Sequence, residues 1–414
     1  MKFDVVIIGG GLSGLISGIS LAKAGKRVAV VSTGQSSLLF HSGSFDLLGY
    51  TGNGQEVSAP LDEIKKLNAI HPYSKVGNVE QLAVDAEQLL NEAGVTVKGN
   101  VRKNHFRITP MGVAKPAWLT LDDYFTTEGA ENLGYRNVLL VNVAGFLDFP
   151  VEFISDGLTN LGAKVNVKAL QIPALKERRM SPSEMRSANI AKILASPDTL
   201  DVVAQKINTS LGDADVVLLP AIFGLNDGSA VASLRKKIGK PVYVLATLPP
   251  SVPGVRIQNL LVSRFKSLGG VFMLGNTVTG GKIADNRLTE IYTSNLPDES
   301  LVAENYILAT GSFQSHGIVA DYEKVYEPVF NLDVDYIAER PEWTKHNVFD
   351  AQPYMEFGVR TDNLFRALKG GVSLTNLYAV GSVLSGHNGI KNADDTGVSV
   401  ITALAVSKTI LKQN

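Results

Sequence analysis

Three glycines early in the sequence have the spacing of a turn that binds a nucleotide phosphate. Gly9, Gly11 and Gly14 follow the pattern G-x-G-x-x-G directly after a β-branched run. The first glycine permits a tight turn, the second lets a phosphate approach the backbone, and the third lets helix and strand pack closely. The start of the following helix adds unpaired N–H groups and a partial positive charge. We expect a cofactor phosphate to bind Gly9, Gly10, Gly11, Leu12, Ser13 and Gly14.

The acid that usually holds the ribose of such a cofactor is missing. It normally closes the second strand, about 20 residues after the glycines. In this sequence Ser32 and Thr33 occupy that place. A hydroxyl can hydrogen-bond a ribose, but it is a weaker and less selective partner than a carboxylate. Two interpretations follow: FAD binds with Ser32 as the substitute, or the ligand has no adenosine and is FMN.

A βαβ unit over residues 3–31 positions the glycine turn. Phe3–Ile8 is a nearly continuous β-branched run, which is typical of a parallel strand buried on both faces. Leu12–Ala24 has helical apolar spacing, Gly25 ends that helix, and Arg27–Val31 is the second strand.

The same patterns predict the remaining elements. Strands are expected at Arg107–Leu121 (several short ones), Asn137–Val143, Lys164–Val167, Val216–Pro220, Pro241–Leu245, Asn305–Gly311 and Asn376–Gly381, with a β-meander from Gly270–Leu274 and Leu288–Ser294. Helices are expected at Glu80–Gly94, Phe149–Leu161, Ser181–Ala195, Leu260–Leu268 and Gly397–Leu411. The proline-dense stretch Leu248–Gly254 is expected to be a rigid loop between domains.

Two later segments favour a flavin over NAD. Ile307–Gly311, with Thr310 and Gly311 at its end, resembles the "ATG" strand of flavoproteins with two dinucleotide-binding domains. Leu377–Ser382, with Gly381 and Ser382, is similar to their C-terminal flavin motif, although Ser382 replaces the acid that holds the ribityl chain.

The resemblance implies a helix whose first residues, here Gly397 and Val398, face the pyrimidine end of the flavin. Asp394 and Asp395 lie nearby and could simply cap this helix. A segment rich in serine and glycine follows the second strand. Its residues could hydrogen-bond the flavin, or could form a flexible loop; they are Ser36, Ser37, Ser42, Gly43 and Ser44.

The order of these pieces predicts an α/β, Rossmann-like flavoprotein fold with two dinucleotide-binding domains and an inserted α+β cap domain. It resembles the fold shared by fumarate reductase and glycerol-3-phosphate dehydrogenases. We expect residues 1–58 and 251–414 to form the flavin-binding domain and residues 59–250 to form the cap that contacts substrate and partner.

A closer resemblance, to the B subunits of bacterial anaerobic glycerol-3-phosphate dehydrogenase, runs essentially from end to end. The matching blocks are Gly34–Ser37, Ser42–Leu48, His71–Ser74, Thr109–Gly112, Trp118–Leu119, Phe223–Leu225, Thr247–Asn259, Ala309–Phe313 and Ala379–Leu384.

The resemblance implies an enzyme that oxidises sn-glycerol 3-phosphate to dihydroxyacetone phosphate and passes electrons to quinone. The partners that it implies are an A-type FAD catalytic subunit and a cysteine-rich iron–sulfur subunit that anchors the complex to the membrane. The family is usually assigned FMN, whereas the glycine motif and the fold indicate FAD. Two alternatives are a stand-alone fumarate-reductase-like flavin oxidoreductase and a flavin-free assembly subunit.

Oxidation of a secondary alcohol needs a general base near the carbinol and cations for the substrate phosphate. His387 follows the Gly381 turn and His316 follows the Thr310–Gly311 strand, so both could line the flavin. Arg256 and Arg360 are the candidate phosphate ligands, although surface or salt-bridge roles fit them equally.

The composition also limits which partners and metal sites this protein can have. A net charge of −1 without charged runs argues against nucleic acid as a partner. The absence of cysteine excludes thiolate zinc sites and iron–sulfur clusters held by this chain's own thiolates, so an iron–sulfur relay would lie on a partner. Because no apolar stretch approaches the roughly 20 residues of a membrane span, we expect a cytoplasmic protein. The family resemblance implies that its partners hold it at the inner face of the membrane.

Overall fold

The computed structural model describes residues 1–413. Its helices are α1 Leu12–Lys23, α2 Pro60–Ile64, α3 Val79–Glu92, α4 Val151–Asn160, α5 Ser187–Leu194, α6 Pro197–Asn208, α7 Ser229–Ile238, α8 Val252–Ser267 and α9 Asp395–Lys412. Its strands are β1 Lys2–Ile8, β2 Val28–Ser32, β3 Ser44–Phe45, β4 Val97–Gly99, β5 His105–Ile108, β6 Ala114–Ala117, β7 Leu119–Leu121, β8 Thr126–Thr127, β9 Asn137–Val143, β10 Lys164–Leu170, β11 Val216–Pro220, β12 Val242–Leu245, β13 Val271–Leu274, β14 Val278–Ala284, β15 Arg287–Thr293, β16 Leu296–Leu308, β17 Val319–Ala320, β18 Val325–Tyr326, β19 Val334–Asp335, β20 Gly358–Val359, β21 Arg366–Lys369 and β22 Val372–Ala379.

The chain divides into two compact units that both use discontinuous segments. The first unit contains Met1–Ser37, Asp46–Ala93 and the residues from Leu261 onward. The second unit contains Leu38–Phe45 and Gly94–Leu260. The chain therefore enters the second unit briefly before β3, returns to the first unit, and then forms most of the second unit in one long insertion.

The predicted domain boundaries differ from this division. Residues 59–93, predicted to open the inserted domain, belong to the first unit because α3 packs against α9. An ion pair between Lys408 on α9 and Asp85 on α3 reinforces that packing. The roles of the predicted domains stay predictions: flavin binding for residues 1–58 and 251–414, and a cap for residues 59–250.

A parallel sheet forms the core of the first unit. Its parallel strands lie in the order β13-β2-β1-β16-β22, and α1 packs against α9. The β1 residues from Val5 to Ile8 are buried, as expected for a β-branched strand covered on both faces. Ile8 pairs with Leu308 and Leu308 with Ala379, so the carboxyl ends of these strands meet at one edge.

The predicted β-meander is wrong for one strand. β14, β15 and β16 form an antiparallel run, but β13 pairs with β2 in parallel and lies at the other end of the sheet. The strand before α8 is β12, which lies in a different sheet, so β13 pairs with β2 from a distant part of the chain and not through a hairpin. Periodicity within four residues carries no information about pairing direction.

The largest sheet of the second unit is also parallel, with the order β10-β9-β11-β12. Helices α4 to α7 lie between these strands in sequence, which is the pattern of a doubly wound sheet. Two small antiparallel sheets, β3-β7-β4 and β6-β5-β8, complete the unit. The strands predicted at Asn137–Val143, Val216–Pro220 and Pro241–Leu245 are confirmed within one residue at each end.

Two predicted helix boundaries are wrong. α8 begins at Val252, eight residues before the predicted helix and inside the predicted loop. The Ser251 hydroxyl accepts a hydrogen bond from Gly254 N at 3.1 Å, and Pro253 is tolerated in the first helical turn. The helix predicted at Ser181–Ala195 is helical as α5 only from Ser187.

We predict that Asn376→Ala destabilises the sheet of the first unit, to which β22 belongs. The buried Asn376 amide accepts from Leu288 N at 2.9 Å and donates to the carbonyls of Leu288 and Glu304 at 2.8 and 3.0 Å. Removing the amide leaves these backbone groups without partners, so the free energy of unfolding should fall by about 2–4 kcal/mol. Chemical denaturation measures it.

Asn208→Ala is the matched control, because Asn208 is exposed and makes one long hydrogen bond to Lys237 O at 3.3 Å. Its free energy of unfolding should stay within about 0.5 kcal/mol of the parent protein. Equal destabilisation by the two substitutions would contradict the role given to Asn376.

Candidate functional site

The glycine turn is built by close approach of main chains. Gly9 has φ +117°, and a Cβ atom there would lie 2.1 Å from the carbonyl oxygen of Ala309. A Cβ atom on Gly14 would lie 2.0 Å from the carbonyl oxygen of Gly9. Neither glycine can be replaced without moving backbone, which is the structural reason for the first and third glycines of the motif.

Gly11 is different, because the space beside it is open. It caps α1 with φ −82°, makes no side-chain cap hydrogen bond, and is followed by a first turn without acidic residues. A Cβ atom on Gly11 would meet only Ser36 Cβ, at 3.9 Å. The start of α1, including Leu12 and Ser13, thus offers backbone N–H groups and a positive dipole end beside open space. This cradle fits an anionic cofactor phosphate.

The end of β2 carries hydroxyls where a ribose-binding acid is usual. Ser32 Oγ donates to Gly34 O at 3.0 Å, which leaves its lone pairs able to accept from a ribose hydroxyl. Thr33 is exposed and exchanges a hydrogen bond with Thr277 Oγ1 at 3.1 Å. A Cβ atom on Gly10 would lie 2.5 Å from Ser32 Oγ, so this hydroxyl borders the glycine turn.

The ends of β16 and β22 reach the same edge as the glycine turn. Ala309 N donates to Ile8 O at 2.8 Å. Thr310 Oγ1 is buried and has no hydrogen-bond partner among the described residues. Gly381 has φ +75°, and a Cβ atom there would lie 2.0 Å from Ser13 Oγ. We call this edge, defined by Gly9, Thr310 and Gly381, the carboxyl edge. A ligand oxygen at this edge would satisfy the Thr310 hydroxyl.

Two further residues complete the turns at this edge. Gly311 has φ +81°, and a Cβ atom there would lie 2.8 Å from Ser315 Oγ, so it ends the strand with a tight turn. Ser382 Oγ donates to Asp395 Oδ1 at 2.5 Å, so the acid absent from position 382 is present nearby on α9. Asp395 is solvent-exposed and is the first residue of α9. An acid remains next to the Gly381 turn, supplied by a different part of the chain.

The predicted cofactor contacts of Gly397 and Val398 need correction. α9 begins two residues earlier than predicted, at Asp395. Gly397 N donates to Asp46 O, and Val398 N donates to Asp394 O, both at 2.8 Å. These two N–H groups are therefore used within the protein and are not offered to a flavin.

The residues predicted to contact the flavin after β2 are divided between the two units, and their role stays a prediction. Ser36 and Ser37 belong to the first unit, and Ser36 is the one beside Gly11. Ser42, Gly43 and Ser44 belong to the second unit, where Ser42 Oγ and Ser44 Oγ share a hydrogen bond at 3.0 Å and Ser44 is buried.

His387 belongs to a buried cluster that sequence reasoning did not find. Its Nδ1 lies 3.2 Å from Asp394 Oδ1, and His71 Nε2 lies 3.0 Å from Asp394 Oδ2. All three side chains are buried, and Asp394 has no exposed surface. We call His71, Asp394 and His387 the histidine cluster. The sequence separation of 323 residues between His71 and Asp394 explains why no local pattern revealed it.

Charge and hydrogen bonding in the histidine cluster shift two pKa values. Burial alone would raise the pKa of Asp394, but hydrogen bonds from His387 and His71 hold it well below its usual range. Burial alone would lower the pKa of His387, but the hydrogen bond and the charge of Asp394 raise it above its usual value. The contacts within the cluster therefore favour an Asp394 carboxylate and the charged form of His387.

The other three candidate residues do not join this cluster. His316 is exposed and ends a 3-10 turn with φ +59°. Arg360 is exposed and pairs with Asp335 at 3.0 Å. Arg256 is buried in the second unit.

The predicted phosphate-binding role of Arg256 needs correction. Its guanidinium forms a two-pronged ion pair with Asp123 at 2.8 and 2.9 Å, and also donates to Gly224 O at 3.4 Å. A buried guanidinium neutralised in this way is a structural ion pair rather than a free phosphate ligand.

With this geometry established, comparison with known proteins assigns the class. The sequence pattern of the FAD binding domain family matches residues 4–397. The chain therefore belongs to the FAD-binding domain family of flavoproteins. It is 43% identical over 417 residues to a Yersinia enterocolitica protein named as the B subunit of anaerobic glycerol-3-phosphate dehydrogenase, a match covering 99% of this chain and 98% of that protein. A Pectobacterium atrosepticum protein of the same name is 38% identical over 418 residues, covering 100% and 99%. Within the flavoproteins, the chain belongs to this family of B subunits.

The predicted family and flavoprotein class are thereby confirmed. The family match supports FAD, and the prediction of FMN is not confirmed. Membership in a family of B subunits makes the chain part of a multi-subunit enzyme. Among residues 1–413, no helix combines the length and apolar character that crossing a membrane requires.

We predict that Gly11→Val leaves the fold intact and removes the flavin. The extended backbone at Gly11 accepts a side chain, and its only near neighbour is Ser36 Cβ. The added methyl groups would occupy the space that a phosphate needs, so flavin affinity should fall at least about 10–100-fold. Absorbance titration with flavin measures the affinity, and thermal unfolding checks the fold.

Gly52→Val is the matched control, because a Cβ atom on Gly52 meets no atom within 4 Å and its φ is not positive. It should bind flavin like the parent protein. Retention of full flavin content by folded Gly11→Val would exclude the start of α1 as the phosphate site.

Proposed function

We propose that this chain binds FAD at the carboxyl edge and works as the flavoprotein B subunit of an anaerobic glycerol-3-phosphate dehydrogenase. The enzyme oxidises sn-glycerol 3-phosphate to dihydroxyacetone phosphate. The observation that carries this proposal is the open cradle at Gly11, where α1 starts beside the Gly9 turn, in a chain of this family. When bound, FAD would supply the redox chemistry, because an isoalloxazine can take up electrons and pass them on.

The chain's own residues then have separate tasks. The N–H groups at the start of α1 hold the diphosphate, and Ser32 accepts from a ribose hydroxyl. Thr310, whose hydroxyl lacks a partner among the described residues, donates to an oxygen of the cofactor. His387 presents a positive charge and an N–H donor beside the reacting end.

The arginines support a division of labour between subunits. A substrate phosphate needs cations with free donors. Arg256 is neutralised by Asp123, and Arg360 is paired with Asp335. We therefore propose that an A-type FAD subunit carries much of the substrate oxidation, and that this chain mainly transfers electrons from it.

The electrons leave toward an iron–sulfur partner. The chain contains no cysteine, so thiolates for a cluster have to come from another subunit. We propose a cysteine-rich subunit that receives the electrons and holds the complex at the cytoplasmic face of the membrane.

Identification of the bound flavin tests the first part of the proposal. Purified chain is precipitated with acid, and the released cofactor is separated by chromatography. We expect FAD, because the family match and the cradle for a diphosphate both favour it. FMN as the main product would contradict the proposal, and protein with no flavin absorbance would favour the assembly-subunit alternative.

Anaerobic stopped-flow mixing with glycerol 3-phosphate tests the division of labour. The flavin of the isolated chain should bleach much more slowly than that of the chain assembled with its A-type partner, because Asp123 and Asp335 pair with the charges of the two candidate arginines. Glycerol, which has no phosphate, is the control substrate. Prompt bleaching of the isolated chain would assign substrate oxidation to this chain, as the stand-alone alternative requires.

A further inference from the structure

The two histidines of the histidine cluster are not equivalent. His71 Nδ1 accepts a hydrogen bond from Tyr73 N at 3.2 Å, so this nitrogen carries no proton. The proton of the neutral ring is therefore on Nε2, which donates to Asp394 Oδ2 at 3.0 Å. Both ring nitrogens of His71 therefore have hydrogen-bond partners within the protein.

His387 has the opposite arrangement. Its Nδ1 donates to Asp394 Oδ1 at 3.2 Å, and its Nε2 has no hydrogen-bond partner among the described residues. A proton can be added to or removed from Nε2 without breaking any contact within the protein. Of the two rings bound to Asp394, only that of His387 has a nitrogen without a partner among the described residues.

The neighbouring residue also lacks a partner. Asn388 is 3% exposed, and its Nδ2 is buried with no hydrogen-bond partner among the described residues, although its Oδ1 accepts from Lys391 N at 3.1 Å. A buried amide donor without a partner is uncommon and indicates that an acceptor belongs there. His387 and Asn388 are thus two consecutive residues with donors free for a ligand oxygen.

We propose that Asp394 and His71 are positioning residues that hold His387 as a charged hydrogen-bond donor, with Nε2–H directed to an oxygen of the bound flavin or substrate. This inference rests on the proposed flavin site. His71 contributes by fixing one oxygen of Asp394, so that the other oxygen keeps the His387 ring in one orientation. The buried contacts of His71 and Asp394 give neither of them free access to a ligand.

The surrounding charges favour the charged state of His387. Asp394, Asp395 and Glu356 are the acidic groups that act on it and raise its pKa, and burial is the opposing influence. His71 faces it with ring centroids 6.1 Å apart. A charged donor stabilises an oxygen that gains negative charge during reduction or oxidation. A general base would require the neutral form, which is populated only above the raised pKa.

Imidazole NMR on the full-length chain tests the protonation pattern. The chain has six histidines, and signals from isotopically labelled rings can be assigned with His387→Gln and His71→Gln. We expect the His387 signal to titrate above its ordinary pKa. In Asp394→Asn the midpoint of His387 should fall by about one pH unit or more.

Two substitutions of His71 test whether it positions Asp394 through a hydrogen bond or only fills space. His71→Gln keeps an N–H donor for Asp394 and should leave the His387 midpoint near that of the parent protein. His71→Leu removes the donor while filling similar space, and should change the midpoint. His316→Gln is the matched control, because His316 is exposed and outside the cluster. If Asp394→Asn and His71→Leu leave the His387 midpoint unchanged, the inference is wrong.

Ligand measurements identify the oxygen that His387 contacts. If it belongs to the flavin, His387→Gln should weaken flavin binding most at pH values below the raised pKa. If it belongs to the substrate, flavin affinity stays constant, and KM or kcat of the assembled enzyme loses its dependence on this group. Activity that rises with pH through the His387 midpoint would instead establish a base and overturn the donor role. If His387 titrates as expected but the assembled enzyme does not oxidise glycerol 3-phosphate, the proposed function is wrong and the role of the histidine cluster still holds.

Discussion

The fold depends on the contact between backbone atoms where β1 turns into α1 under the end of β16. At Gly9 a single added carbon would lie 2.1 Å from Ala309 O, and at Gly14 it would lie 2.0 Å from Gly9 O. Side chains are excluded from both contacts, so α1 can start directly at the sheet edge. Gly381, which follows β22, is a third position where a side chain is excluded, because an added carbon there would clash with Ser13. Three segments far apart in sequence therefore meet at one point, and the helix end that binds anions faces the gap between them.

Residues with strong local patterns were predictable, and residues whose position depends on distant partners were not. The βαβ unit follows from a buried β-branched run and a glycine motif, both of which act over a few residues. The pairing of β13 depends on β2, which is far away in sequence, and the membership of α3 in the first unit depends on its packing against α9. The proline-dense sequence hides the start of α8, because prolines usually end helices, whereas Ser251 caps a first turn that tolerates Pro253.

The same distinction holds at the candidate site. His387 is a candidate site residue from the sequence alone, because it follows the Gly381 turn. Its neighbour in the cluster, His71, lies in a segment with no evident connection to α9. The sequence suggests a cap role for Asp394, yet its side chain makes no cap hydrogen bond and instead bridges two rings. The sequence also identifies Arg256 as a cation, but Asp123, which neutralises it, is 133 residues away. Sequence supplies the type of a side chain, and long-range packing decides whether its charge is free.

The serine at the end of β2 explains how an FAD family member can lack the ribose-binding acid. A neutral hydrogen bond contributes about 0.5–1.5 kcal/mol and a charge-assisted one about 1.5–3 kcal/mol, so the exchange costs on the order of tenfold in affinity. A diphosphate at the start of α1 would be unaffected, because that contact would use backbone N–H groups and the helix dipole. Ser32 Oγ is already ordered by Gly34 O, so it could accept from a ribose without first losing rotational freedom. The missing carboxylate therefore weakens adenosine recognition without removing the physical basis for binding FAD.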